Sequence, residues 1–76
     1  MDWINKQQKE RVAQGRKKYG KINLRTDPRS FKKESVEELV DALNYLGWSY
    51  KKGEIDYQRW RLADRCIRFA LELIHS

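Results

Sequence analysis

The stretch Ser35-Val-Glu-Glu-Leu-Val-Asp-Ala-Leu-Asn-Tyr-Leu-Gly-Trp-Ser-Tyr50 decides the fold. Wound at about 100° per residue, it places Val36, Leu39, Val40, Leu43, Leu46 and Tyr50 on one face, the stripe by which a helix joins a core. Ser35 followed by Glu38 has the form of a capping box just ahead of the apolar run. Asp27-Pro28 upstream disfavours helix. The central helix is therefore expected over about 31–52, ending near Gly53.

The opposite side of this helix carries Glu34, Glu37, Glu38 and Asp41, and with them Tyr45 and Trp48. A fully solvated face seldom holds two large aromatics. The second side is thus expected to be covered too, by another subunit, by the first helix or by a ligand.

Toward the C-terminus, a third helix over about 56–74 spreads Ile55, Leu62, Ala63, Cys66, Ile67, Phe69, Ala70, Leu73 and Ile74 across a broad apolar sector. One antiparallel neighbour would not cover it, so more than one partner is expected. Arg61, Arg65, Arg68 and Glu72 line its other side, where a pairing such as Arg68 with Glu72 at i,i+4 suits a solvated face. Arg59 falls within the apolar sector near the start of the helix. It pairs with a carboxylate of the central helix, contacts a phosphate, or snorkels to water.

Toward the N-terminus, a helix over about 3–19 has Asp2 as its candidate N-cap and Gly20 where helices commonly stop. Its apolar face is poor, only Trp3, Ile4, Val12 and Tyr19, so it needs a surface to lie on. Residues 20–30 read as an extended connection anchored by Ile22 and Leu24. With four glycines, one proline and almost no alternating β-branched stretches, the chain has little from which to build a sheet. The expected architecture is one all-α domain of three helices with a long loop between the first two, completed by oligomerisation into a larger helical bundle.

Size points the same way. A chain of 76 residues buries only about 60% of the surface its unfolded form exposes, so a partner copy is the readiest source of further stability. Cys66 is the only cysteine and His75 the only histidine, which excludes an internal disulfide and a zinc site of the usual ligand types. Neither a signal-peptide run nor a spanning segment is present, and the lone thiol suits a reducing compartment. The expected location is the cytoplasm, the host's if the chain is phage-encoded, with no membrane partner. Seventeen Lys and Arg against 11 Asp and Glu leave a net charge of +6, with many of the basic residues between Lys6 and Lys33. That charge suits an anionic partner, whether nucleic acid, nucleotide or acidic protein, and it also serves plain solubility.

Two constellations bear on chemistry. Arg11, Gly15 and Lys18 stand at i, i+4 and i+7, so a helix presents two cations on one face with a missing side chain between them. Such a face can approach a phosphate closely. Tyr19 can stack on a base, and Gly20 lets the chain turn with positive φ. Alternatively, Gly15 is a close contact between helices and Lys18-Tyr19-Gly20 a plain helix end. The second constellation is the carboxylate stripe, whose three- and four-residue spacings can aim oxygens at one or two Mg²⁺ ions. Against that, Glu37 and Glu38 lie in the first turn if Ser35 is the cap, where the helix dipole favours negative charge in any protein.

The pattern Arg11-x-x-x-Gly15-x-x-Lys18-Tyr19-Gly20, followed after a loop by Glu34-x-x-Glu37-Glu38-x-x-Asp41-Ala42-x-x-Tyr45-Leu46, resembles small phage and prophage proteins related to the MazG-like, all-α nucleotide pyrophosphohydrolases. The resemblance covers about the first two thirds of the chain. It implies a helical bundle completed by dimerisation or tetramerisation, with Mg²⁺ as cofactor and a nucleoside triphosphate cleaved to monophosphate and pyrophosphate. Glu34, Glu37, Glu38 and Asp41 would be the metal ligands. Arg11, Lys18 and Tyr19 would contact phosphate and base. Apart from the resemblance, the residues themselves add Gly15, Gly20 and Arg59 as candidates for the phosphate site and Tyr45 and Trp48 as candidate aromatic contacts. The fuller enzymes have a second acidic pair on the next helix, whereas the third helix here offers Glu54, Asp56, Asp64 and Glu72 with no Glu-x-x-Asp among them. Three functions follow in order: a nucleotide-binding protein with Mg²⁺-dependent hydrolysis, a non-catalytic protein that sequesters a host nucleotide-derived signal, and last a nucleic-acid module, for which no reader motif is present.

Overall fold

The computed structural model describes residues 2–76. It consists of α1 (Asp2–Tyr19), α2 (Phe31–Lys51) and α3 (Tyr57–His75), with no strand among the described residues. Asp2 lies inside the first turn of α1, where its charge suits the helix dipole; it is not the N-cap expected of it. Gly20 ends the helix as expected. Its φ of 83° is left-handed, and its N–H donates to the Arg16 carbonyl at 2.8 Å.

α2 begins where the expected range of about 31–52 puts it, but its cap is not Ser35 of the apparent capping box, which lies one turn further on. Ser30 is the cap: its backbone is extended, its hydroxyl oxygen accepts from the Lys33 N–H at 3.2 Å, and its carbonyl accepts from the Glu34 N–H at 3.0 Å. Ser35 lies within the helix and donates back to the Phe31 carbonyl at 2.8 Å. The extra turn brings in Phe31, whose ring lies under the Arg29 guanidinium at 5.1 Å. Only Glu34 is left in the first turn, and the dipole, which fades within one turn, no longer accounts for Glu37 and Glu38.

The other end of α2 closes in a Schellman motif. Glu54 N–H donates to the Ser49 carbonyl at 2.9 Å and Gly53 N–H to the Tyr50 carbonyl at 3.0 Å, with Gly53 at φ 84°. Asp56 then caps α3, its carboxylate accepting from the Arg59 N–H at 2.8 Å. So short a connection turns the chain straight back, and α2 and α3 pack as an antiparallel hairpin. His75 and Val36 accordingly line one shallow pocket at one end, and Trp60 stacks on Tyr50 at the other with centroids 4.9 Å apart.

The hairpin seam is half-buried Val36, Leu39, Ala42, Leu43 and Leu46 of α2 against Trp60, Ala63, Ile67, Ala70, Leu71 and Ile74 of α3. The expected stripe of α2 is the one used, with Val40 and Tyr50 at its edges. On α3 the packed face takes Ala63, Ile67, Ala70 and Ile74 from the expected sector and adds Trp60 and Leu71. Arg68 pairs with Asp64 at 2.7 Å, four residues before it, and not with Glu72 as expected.

α1 packs against neither α2 nor α3. A single globule of this length has a radius of gyration of about 11 Å; this chain has 15.1 Å. No side chain among the described residues is fully enclosed. The outer side of α2, expected to be covered, leaves Tyr45 68% and Trp48 59% exposed, so α1 of the same chain does not cover it. No helix among the described residues is long and apolar enough to cross a membrane.

Candidate functional site

The last two turns of α1 and the connection after it form a groove of about 420 Å³. Arg11, Gly15 and Tyr19 of the expected set line it, with Gly20 at its end. Gly15 touches nothing: a Cβ added there would meet no atom within 4 Å, so within the chain this glycine is not a helix–helix contact. Its effect is to leave the floor open between Arg11 and Tyr19.

Three further cations line the same groove, Arg16, Lys21 and Arg29. Arg29 comes from the far end of the connection, which the structure shows to be turned where an extended run was expected. The Asn23 carbonyl accepts from the N–H groups of Thr26 at 3.2 Å and Asp27 at 2.9 Å, and its side-chain oxygen from Arg25 N–H at 3.1 Å. Asp27 then holds Arg29 in a fork, Nε to Oδ1 at 3.0 Å and Nη2 to Oδ2 at 2.7 Å, while Oδ1 also accepts the Arg29 backbone N–H at 3.0 Å. These hydrogen bonds lower the Asp27 carboxyl to about 2 and raise the Arg29 guanidinium. The clamp is therefore fully charged at any physiological pH.

The net charge is segregated along the chain. Nine basic and three acidic residues lie before Phe31, and eight of each lie from Phe31 onward, so the whole excess of +6 belongs to α1 and its connection. The α2–α3 hairpin is neutral. A concave surface inside the positive half concentrates anions from solution. A larger concavity, about 570 Å³, runs along one flank of α1 past Asn5, Gln8 and Ala13, but it has only Lys9 and Arg16 as cations and neither glycine nor aromatic ring. The smaller groove is the better site for a phosphate.

The remaining expected residues lie elsewhere. Lys18 is outside the groove lining and sits against the Tyr19 ring, Nζ to centroid 5.2 Å. Arg59 is 80% exposed on the first turn of α3 and lies 3.7 Å from the Asp56 carboxylate, away from the groove. Glu34, Glu37, Glu38 and Asp41 are all exposed on the outer side of α2, in no ion pair among the described residues. No group of three or more His, Cys, Asp or Glu stands at metal-holding distance among the described residues. Beyond the carboxylates on the same side, Tyr45 and Trp48 meet edge to face, centroids 5.4 Å apart at 88°. The groove and the α2 carboxylates therefore lie apart within one chain.

Arg16 and Lys21 were legible in the run Arg16-Lys17-Lys18-Tyr19-Gly20-Lys21, where cations flank the glycine and tyrosine on both sides. Arg29 was not, since its place depends on the turn at Asn23. Compared with known proteins, the chain matches no family, no curated protein and no solved structure.

Proposed function

We propose that the chain is a nucleotide-binding protein that takes a phosphate-bearing nucleotide in the groove at the end of α1. The observation that supports this reading best is the lining itself: Arg11, Arg16, Lys21 and Arg29 surround Gly15 and Gly20 beside a Tyr19 that is 80% exposed. Guanidinium groups recognise phosphate oxygens in pairs, and Asp27 fixes one of them in advance, so less side-chain entropy is lost on binding. Tyr19 offers the base a flat apolar surface. Titration with ATP, adenosine and inorganic triphosphate tests the reading: phosphate-bearing ligands should bind and adenosine alone should not.

A second reading, Mg²⁺-dependent pyrophosphohydrolysis, rests on the resemblance to the MazG-like enzymes and on the four unpaired carboxylates of α2. Glu37 and Glu38 stand beyond the first turn, where capping does not explain them. Carboxylate-held Mg²⁺ would neutralise the departing pyrophosphate. The groove and the carboxylates would have to meet across two copies, since α3 has no second acidic pair. Without that meeting, the protein would bind its nucleotide, or a nucleotide-derived signal of a host, without turnover. Pyrophosphate release with Mg²⁺, abolished by Glu38→Ala or Asp41→Ala, separates the two. A nucleic-acid module would instead lose affinity steeply with salt over a long site.

A further inference from the structure

α3 carries two apolar seams, and α2 covers one of them. The other is Leu62, Cys66, Phe69 and Leu73, spaced 4, 3 and 4 residues apart, the repeat of a coiled-coil contact. All four are exposed, Leu62 58%, Phe69 63% and Leu73 62%. They run for about 16 Å along the helix at 1.5 Å per residue. Beside them a concavity of about 470 Å³ between Arg65, Cys66, Phe69 and Glu72 leaves room for a side chain of a facing helix.

We propose that a second copy of this chain covers the seam, α3 against α3, in antiparallel orientation about a two-fold axis near residues 67 and 68. Charge selects the occupant. α1 carries six basic and two acidic residues, and Arg59, Arg61 and Arg65 border the seam, so α1 is repelled from it. A second α3 brings a carboxylate of its own, Glu72. Charge also selects the direction. Arg65 and Glu72 flank the seam seven residues apart, and neither is in an ion pair among the described residues. In an antiparallel pair each Arg65 faces the other copy's Glu72, forming two equivalent interchain pairs. In a parallel pair the Arg65 and Glu72 of each copy would lie on the flank of the contact opposite to those of the other copy, so neither interchain pair would form. The antiparallel register puts Leu62 across from Leu73 and Cys66 across from Phe69, so the two Cys66 thiols do not meet. The neutral hairpin pairs without the positive halves having to approach each other.

The experiment uses the full chain in reducing buffer and reads mass by sedimentation equilibrium. Wild type is expected to be a dimer at micromolar concentration. Arg65→Glu and Glu72→Arg should each weaken the dimer about tenfold or more, while an equimolar mixture of the two recovers wild-type affinity as a heterodimer, because each unlike pair is then restored. Residues seven apart on one helix do not touch, so an effect within the chain cannot give that recovery. A second test omits reductant and adds mild oxidant, and the expected result is no Cys66–Cys66 crosslink within the dimer. A monomer at about 100 micromolar, a dimer that the charge variants do not weaken, a mixture that stays weak, or rapid Cys66 crosslinking would each overturn the proposal.

Discussion

Replacing the cap of α2 tests where that helix begins, and with it the meaning of the carboxylates. Ser30 satisfies the Lys33 N–H through a hydroxyl oxygen at 3.2 Å, and an alanine there leaves that donor to water. Loss of an N-cap serine costs about 1 kcal/mol. For a domain of this size that lowers Tm by about 4–8 °C. Ser35→Ala is the internal control. It removes only a bond back to the Phe31 carbonyl and substitutes a better helix former, so Tm should hold or rise slightly, by up to about 0.5 kcal/mol in stability. The same helix start makes Glu34→Gln cost a few tenths of a kcal/mol through the dipole, while Glu37→Gln and Glu38→Gln cost nothing by that route. Thermal melts followed by circular dichroism, at one protein concentration because any assembly makes Tm depend on it, give all five values. If Ser35→Ala is the costly change and Ser30→Ala the neutral one, the helix starts where the capping box placed it. The two glutamates would then be dipole ligands, and the case for a free acidic face would fall.

Other consequences can be checked in the same way. Trp60 stacks on Tyr50 with its indole N–H buried and without an acceptor, so Trp60→Phe should be neutral or slightly stabilising in urea melts, whereas Trp60→Ala should cost about 2–3 kcal/mol, less than a fully enclosed tryptophan. Gly20→Ala forces a side chain into φ 83° and should cost about 1 kcal/mol, read as fraying of the last turn of α1 in amide exchange. The Asp27 carboxyl lies at about 2 against an ordinary 3.8, so the folded state binds fewer protons than the unfolded one between those values. The stability it adds is whole above about pH 4 and is lost as the pH falls toward 2; Asp27→Asn removes it at every pH, and a carbon-detected NMR titration of Asp27 measures the midpoint directly.

Much of this molecule was legible in its residues, and where legibility stopped has physical causes. The α2 stripe was plain because Val36, Leu39, Leu43 and Leu46 keep a strict helical period. Gly20 and Gly53 were plain as stops because left-handed φ is nearly theirs alone. The start of α2 near residue 31 was legible, but its cap was misread because Ser35-x-x-Glu38 satisfies the side-chain pattern of a capping box, while the choice between two serines depends on which turn the backbone reaches first after Pro28. Of the broad α3 sector, α2 covers only a part. Which half of it faces α2 was not legible, since Leu62 and Phe69 are as apolar as Ile67 and Leu71, and only the hairpin geometry divides them. At the groove, Arg11, Gly15, Tyr19 and Gly20 followed from helical spacing. Arg29 did not, because a local hydrogen-bonded turn carries it back across ten residues.

The central claim is that the cations around Gly15 and Gly20 bind phosphate, and calorimetric titration of ATP into wild type, Arg16→Glu and Arg29→Glu tests it most directly. A charge-assisted hydrogen bond contributes about 1.5–3 kcal/mol, so each reversal should weaken binding by at least about tenfold, while Arg59→Glu, remote from the groove, leaves it unchanged. Binding of ATP with equal affinity to wild type, Arg16→Glu and Arg29→Glu, or no binding to wild type at low salt, would contradict it.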